Sequence, residues 1–274
     1  ENRKGRRAGK EVVEPLYTLN DVDDLMGLIQ TAEYGEILQV TDNVELRFRD
    51  AGHLLGSAYA EIWAVENGIE KKIVFSGDIG NKNQPIICDP TIVDTADYVV
   101  MESTYGDRNH DESETFSYEE ELAKIIDDTF QRGGNVIIPS FAVGRTQEIL
   151  YFIREMKEQG LVKYAPDFPV YIDSPLAEEA TKIYSGDLTG YLDAAAKEIA
   201  ENGVAMFTFP GLRLSRTSEE SKQLNLDMTP KVIISASGMC DAGRIRHHLK
   251  HNLWRPESTI VFVGYQAEGS LGRH

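Results

Sequence analysis

Three side chains among the first 102 residues could bind a metal ion or move a proton, and each sits at a strand boundary. His53 lies in Asp50-Ala51-Gly52-His53-Leu54-Leu55-Gly56-Ser57, a glycine-flanked turn just before a strand. Glycines there let the backbone come close to a site, and the turn aims the imidazole. Asp78 leaves a strand between two glycines in Phe75-Ser76-Gly77-Asp78-Ile79-Gly80, a position from which a carboxylate can bridge two metals. Glu102 ends the apolar strand of Met101-Glu102-Ser103-Thr104-Tyr105-Gly106-Asp107-Arg108, the place where open α/β sheets put their ligands. Each has a plainer alternative: a solvated histidine, an Asx-turn, a helix cap.

Three later strand ends share one design. Ile138-Pro139-Ser140-Phe141-Ala142-Val143-Gly144-Arg145, Ile172-Asp173-Ser174-Pro175-Leu176 and Ile234-Ser235-Ala236-Ser237-Gly238-Met239 each run from a strand into a helix. In a parallel sheet all three turns emerge on one edge and present backbone N–H groups and hydroxyls at helix N-termini, which bind phosphate. Ser, Asp and Pro are also ordinary helix starters. Three such ends beside two carboxylates and a histidine point to a polyanionic substrate. The following helix, Asp241 to His251, is a local basic patch with a buried stripe through Ile245 and Leu249. His247 and His251 stand four apart on it without an HExxH-type glutamate, so solvated or phosphate-facing roles are favoured over metal ligation.

The elements that must position these groups fall into two textures. Residues 36 to 75 read as antiparallel strands: Val44–Phe48, Ser57–Val65 and Lys72–Ser76, with Asn67-Gly68 as a hairpin turn. From about residue 97, short apolar strands alternate with helices. The strands are Tyr98–Met101 (expected to be buried), Asn135–Ile138, Pro169–Ile172, Lys231–Ile234 and Thr259–Gly264. The helices are Tyr118–Gln131, Thr146–Gln159, Leu176–Tyr184 and Ala242–Leu253. That alternation predicts an α/β fold with a mostly parallel sheet flanked by helices. Residues 185 to 230 read as helical stretches with a polar loop at Ser215–Lys222, a lid or rim.

The chain has 274 residues, of which 41% are hydrophobic, enough for a sizeable core. It contains no apolar run long enough to span a membrane. Glu1–Lys10 is basic and lacks the apolar stretch of a secretory signal. Cys88 and Cys240 are the only cysteines and have no CxxC spacing, which argues against a disulfide scaffold and for a cytoplasmic setting. The net charge of -17 excludes a general basic coat for nucleic acid, but metals and a local patch can reverse the sign inside a cleft.

AGHLLGSA, FSGDIG, MESTYGDR, IPSFAVGRTQE, YIDSPLA, SASGMCDAGRIRHHLKH and VGYQAEGSLGRH occur in that order. Together they resemble the β-CASP branch of the metallo-β-lactamase superfamily, which includes cleavage-and-polyadenylation endonucleases and their bacterial and archaeal relatives. The resemblance implies part of an αββα sandwich over residues 1–106, an inserted β-CASP domain over 107–268, and a return to the sandwich from 269 to 274. It makes His53 a zinc ligand, Asp78 the carboxylate bridging two zincs, and Glu102 the partner of a catalytic histidine, for which His274 stands in the matching place. The family's HxHxDH signature and its late motif C histidine are absent; they are expected upstream of residue 1 and beyond residue 274. Apart from the resemblance, the strand-end positions of Arg145, Ser235 and Ser237 suit them to hold substrate phosphates.

The implied activity is zinc-dependent hydrolysis of single-stranded RNA, endonucleolytic or from the 5′ end, with two zincs per intact site. The chain taken alone is expected to cut weakly or not at all. No membrane is involved, and a homodimer is compatible with this reading. The alternatives are a catalytically dead scaffold that binds RNA or partners, and a hydrolase of small molecules, against which the extra α/β domain argues.

Overall fold

The computed structural model describes residues 13–107, 117–188 and 190–274. Glu1–Lys10 therefore lies outside the described residues.

The first sheet is a meander. β1 (Ile37–Thr41), β2 (Val44–Asp50), β3 (Ala58–Glu66) and β4 (Ile69–Phe75) pair antiparallel in sequence order, and β5 (Tyr98–Val100) joins β4 in parallel. A short helix, α1 (Leu19–Met26), precedes it. Asn67 and Gly68 link β3 to β4 with φ of 52° and 77°, the pair of positive angles that a type I′ hairpin requires and the Asn-Gly dipeptide supplies.

Alternation along these strands gives the sheet two unlike faces. One carries Leu46, Phe48, Ile62, Ile73 and Phe75. The other carries a charged ladder: Glu61, only 2% exposed, receives Arg47 Nε at 2.7 Å and Lys72 Nζ at 2.6 Å, and both cations lie over the Trp63 ring. Burial pushes the Glu61 carboxyl up, and the two cations outweigh it and hold the group below the ordinary range.

β5 departs from expectation. Its apolar run predicts burial, yet Tyr98, Val99, Val100 and Met101 are 53–63% exposed. The strand stands at the sheet edge, and the described residues cover neither face.

The second sheet is wholly parallel, in the order β10-β6-β9-β7-β8. β6 (Val136–Pro139) and β9 (Val232–Ser235) are buried throughout. β7 (Val170–Ile172) lies beside β9, and β8 (Leu212–Leu214) and β10 (Thr259–Ile260) form the edges.

The helices begin where the sequence supplies caps. Ser117 accepts from Glu120 N to start α2 (Tyr118–Gln131), whose Ala123, Ile126 and Phe130 face the core at helical spacing. α3 (Arg145–Glu158) follows Gly144, and α4 (Pro175–Tyr184) has Ser174 as cap and proline at its first position. α5 (Ala194–Glu201) is capped by Asp193. The core of this half gathers Ile126, Phe130, Leu150, Ile153, Phe168 and Val232.

Residues 185–230 hold more regular structure than their polarity suggests. They contribute α5, the edge strand β8 and α6 (Ser218–Leu226), so the expected polar loop at Ser215–Lys222 is largely the first turns of a helix closed by a Thr217–Glu220 capping box. The last helix, α7 (Ile245–Asn252), starts three residues later than its composition implies.

Replacing Glu61 by alanine strands two cations against Trp63, and we expect a loss of about 1–3 kcal/mol in denaturant unfolding. Glu61→Gln, which keeps the shape, should recover part of it.

Candidate active site

The His53 turn is closed by its own polar groups. Ser57 Oγ accepts from His53 N and Leu54 N, both at 3.1 Å, and Asp50 Oδ1 accepts from Gly52 N at 2.8 Å. The Asp78 loop lies directly on this turn. Gly80 N donates to Ala51 O at 2.9 Å, and a Cβ on Gly80 would fall 1.7 Å from Gly52 O, so no other residue permits the approach. That contact brings Asp78 Oδ2 to 3.9 Å from His53 Nε2. Asp78 is 75% exposed, which leaves its oxygens open to a ligand.

Glu102 stands behind this pair. Its Oε1 accepts from Ile79 N at 2.5 Å and its Oε2 from the Thr104 hydroxyl at 2.6 Å. These two bonds, helped by His53, hold the carboxyl below its ordinary range and keep it ionised at neutral pH.

The turn also docks onto the second sheet's half. Leu54 fills the space over Gly144, the residue before α3, and Leu55 N donates to the Tyr184 hydroxyl at 3.2 Å. Arg145, the next residue, has its guanidinium paired with Glu148.

At the C-terminal edge of the parallel sheet, Ser140 N donates to Ser235 O, and Asp173 N to Ile234 O. Ser237 lies in the loop after β9, partly exposed, with its hydroxyl against the backbone of Ala242. Ser235 does not face solvent as its assigned role needs. It is 1% exposed, and its hydroxyl donates to Asp173 O at 2.9 Å, so it ties two strand ends together. His274 is exposed, and the hydrogen bonds found on the Glu102 carboxylate come from Ile79 and Thr104 rather than from it. The chain end does return to this edge, through Gly272 N to Met239 O and Gln266 Nε2 to Gly238 O. His247 and His251 point outward.

The most heavily bonded group of the edge, Asp173, carries no signal of its own in the sequence beyond its place at a strand end. Asp173, fully buried, accepts from Ser221 Oγ at 2.5 Å and from Arg244 at 2.7 Å, and lies 2.6 Å from His248 Nε2. The other nitrogen of His248 is 3.0 Å from Asn225 Oδ1. Helical phase could have found His248, because Ile245, His248, Leu249 and Asn252 share the buried face of α7. Burial pushes the Asp173 carboxyl up, and the donors around it outweigh that and bring it down to about 2.

Residues 146–274 match the Beta-Casp domain. The chain belongs to the β-CASP family.

This β-CASP chain is similar to Ribonuclease TTHA0252 of Thermus thermophilus, with 38% identity over 266 residues, covering 96% of this chain and 58% of that one. It is 34% identical to an RNase J-like protein of Methanocaldococcus jannaschii over 258 residues (94% and 57%). It is 33% identical to Transcription termination factor FttA of Thermococcus kodakarensis over 268 residues (95% and 39%). The chain thus spans well under two thirds of the length of each.

His53 and Asp78 are the right donors for a divalent cation such as zinc, but they are only two, and a zinc site generally takes three or four protein ligands. Among the described residues no group of three or more His, Cys, Asp or Glu is placed to hold one. A cavity of about 680 Å³ lined by Arg132, Tyr164, Asp167, Phe168, Pro169 and Pro230 lies at the opposite edge of the parallel sheet and contains none of the candidate residues.

Two outcomes are expected. Gly80→Ala should push the Asp78 loop off the His53 turn and lower stability by about 1–3 kcal/mol in urea unfolding. Asp173, depressed in the folded state from 3.8 to about 2, contributes stability that is fully present above pH 4 and lost as pH falls toward 2. Asp173→Asn should remove roughly 2 kcal/mol of that acid dependence in urea midpoints compared across this range.

Proposed function

We propose that the protein hydrolyses phosphodiester bonds of single-stranded RNA, using divalent metal ions, zinc by preference. The observation that carries this is the approach of His53 and Asp78 to 3.9 Å, with ionised Glu102 behind them, on a turn docked against the start of α3. The names of the relatives, a ribonuclease and an RNase J-like protein, support the same class of substrate.

In this reading residues 1–106 and 269–274 belong to the metal-binding half and 107–268 to the β-CASP domain. Metal ions, when bound, supply activation of water and neutralisation of phosphate charge. His53 and Asp78 would hold one side of that metal set, and the remaining ligands would come from outside the described residues. Glu102 keeps the Asp78 loop in place through Ile79 N and offers its remaining lone pairs to orient a histidine, for which His274 is the candidate. A histidine held there by an anion is suited to protonate a leaving oxygen. Arg145 and Ser237, on the shared edge, would meet phosphates on either side of the scissile bond.

A second reading has one observation in its favour. With two candidate ligands among the described residues, where a zinc site takes three or four, the protein would hold RNA without cutting it.

The two part on one experiment. In the full-length protein, His53→Ala and Asp78→Asn should each lower chelator-sensitive cleavage of a single-stranded oligoribonucleotide by more than about 100-fold, with RNA binding in EDTA kept. Cleavage that is unaffected by these changes or by chelator would exclude the metal reading. The 274-residue chain alone should give little cleavage with added zinc.

A further inference from the structure

Two arginines of the candidate site are already engaged. Arg145 is paired with Glu148, and Arg244 is held by Asp173, Ser215 O and Arg216 O. The whole chain carries a charge of -17. Either arginine would have to give up these partners to meet a phosphate, which lessens the usual source of affinity for nucleic acid.

Aromatic rings lie along the same edge. Tyr105 follows Glu102 by three residues, in the turn whose Thr104 hydroxyl bonds that carboxylate, and is 40% exposed. Its ring meets Tyr265 edge to face, with centroids 5.6 Å apart and planes at 78°. Gln266, next to Tyr265, donates Nε2 to Gly238 O at 3.0 Å, within the loop that carries Ser237. Phe141, 46% exposed, lies against Gly238 so closely that a Cβ there would come within 2.8 Å of its ring. A chain of contacts thus runs from Glu102 to the Ser237 loop, with three aromatic side chains along it. Burial does not account for the two most exposed of these rings, since leaving such a ring in water forfeits the gain of covering it.

We propose that Tyr105, Tyr265 and Phe141 are a stacking platform for the unpaired bases of RNA, so that the site selects single strands by their bases while Ser237 and Arg145 meet the backbone. This rests on the ribonuclease reading above and deepens it. Every base has a π-face, so the platform tolerates sequence, whereas a duplex keeps its bases inside the stack and offers none to it.

The test uses the full-length protein in EDTA, with fluorescence anisotropy of two probes: a short oligouridylate, and an abasic ribose-phosphate oligomer of equal length and charge. The unaltered protein should prefer the oligouridylate by about 10-fold or more. Phe141→Leu and Tyr265→Leu, which keep apolar volume without a ring, should each reduce that preference and leave affinity for the abasic oligomer unchanged. Phe141→Trp and Tyr265→Phe should retain it. If the leucine variants keep the preference, or lose affinity for both oligomers alike, the platform is overturned and the nuclease reading stands. If the unaltered protein binds neither probe, the RNA reading falls and the platform with it.

Discussion

A carboxylate with no access to water must be met by donors, and three side chains converge on that of Asp173. Ser221 comes from α6, Arg244 from the residue before α7 and His248 from its body, and the Asp173 carbonyl accepts from Ser235 of β9. Those are the segments that shape the C-terminal edge of the parallel sheet. An ion so placed costs several kcal/mol in desolvation and is tolerable only when fully satisfied. The result is a rigid knot beneath the Ser237 loop. The loop can present hydroxyl and backbone groups to solvent because its base cannot move without breaking that knot.

The two halves meet through a different kind of contact. The His53 turn reaches α3 through Leu54 and α4 through the Tyr184 hydroxyl, while Asp193 N donates to Ile86 O farther along. The His53 turn is thus fastened to the start of α3 and to α4 through one leucine side chain and one hydroxyl.

Much of this was legible in the residues. Asn67-Gly68 announced its hairpin because few dipeptides accept two positive φ angles. The strands and helices between 118 and 184 were placed to within a residue or two, since period and caps agreed. The motifs single out both His53 and Asp78, but the Gly80 contact that brings their loops together is not legible, because close backbone approach leaves no periodic trace. β5 was misread as buried: an apolar run reports what a strand prefers to face, not what faces it. Ser235 was read as a phosphate ligand for its position at a strand end, but its register points the hydroxyl inward to Asp173. His247 and His251 drew notice by their spacing, whereas His248, in phase with Ile245 and Leu249, was the one buried. β8 and α6 were hidden by polar composition on an edge strand and a surface helix.

The strand order of the second sheet carries a consequence for biosynthesis. β9 lies between β6 and β7, although it follows them by some sixty residues or more, and β10 seals the far side later still. The meander of the first sheet has only neighbour-to-neighbour pairings and can close as soon as it leaves the ribosome. β6 and β7, emerging next, have no partner in each other and must keep a slot open for a strand not yet made. The nascent chain therefore holds His53 and Asp78 in register well before the edge that carries the Ser237 loop exists, and that edge is completed only once β9 and β10 have followed.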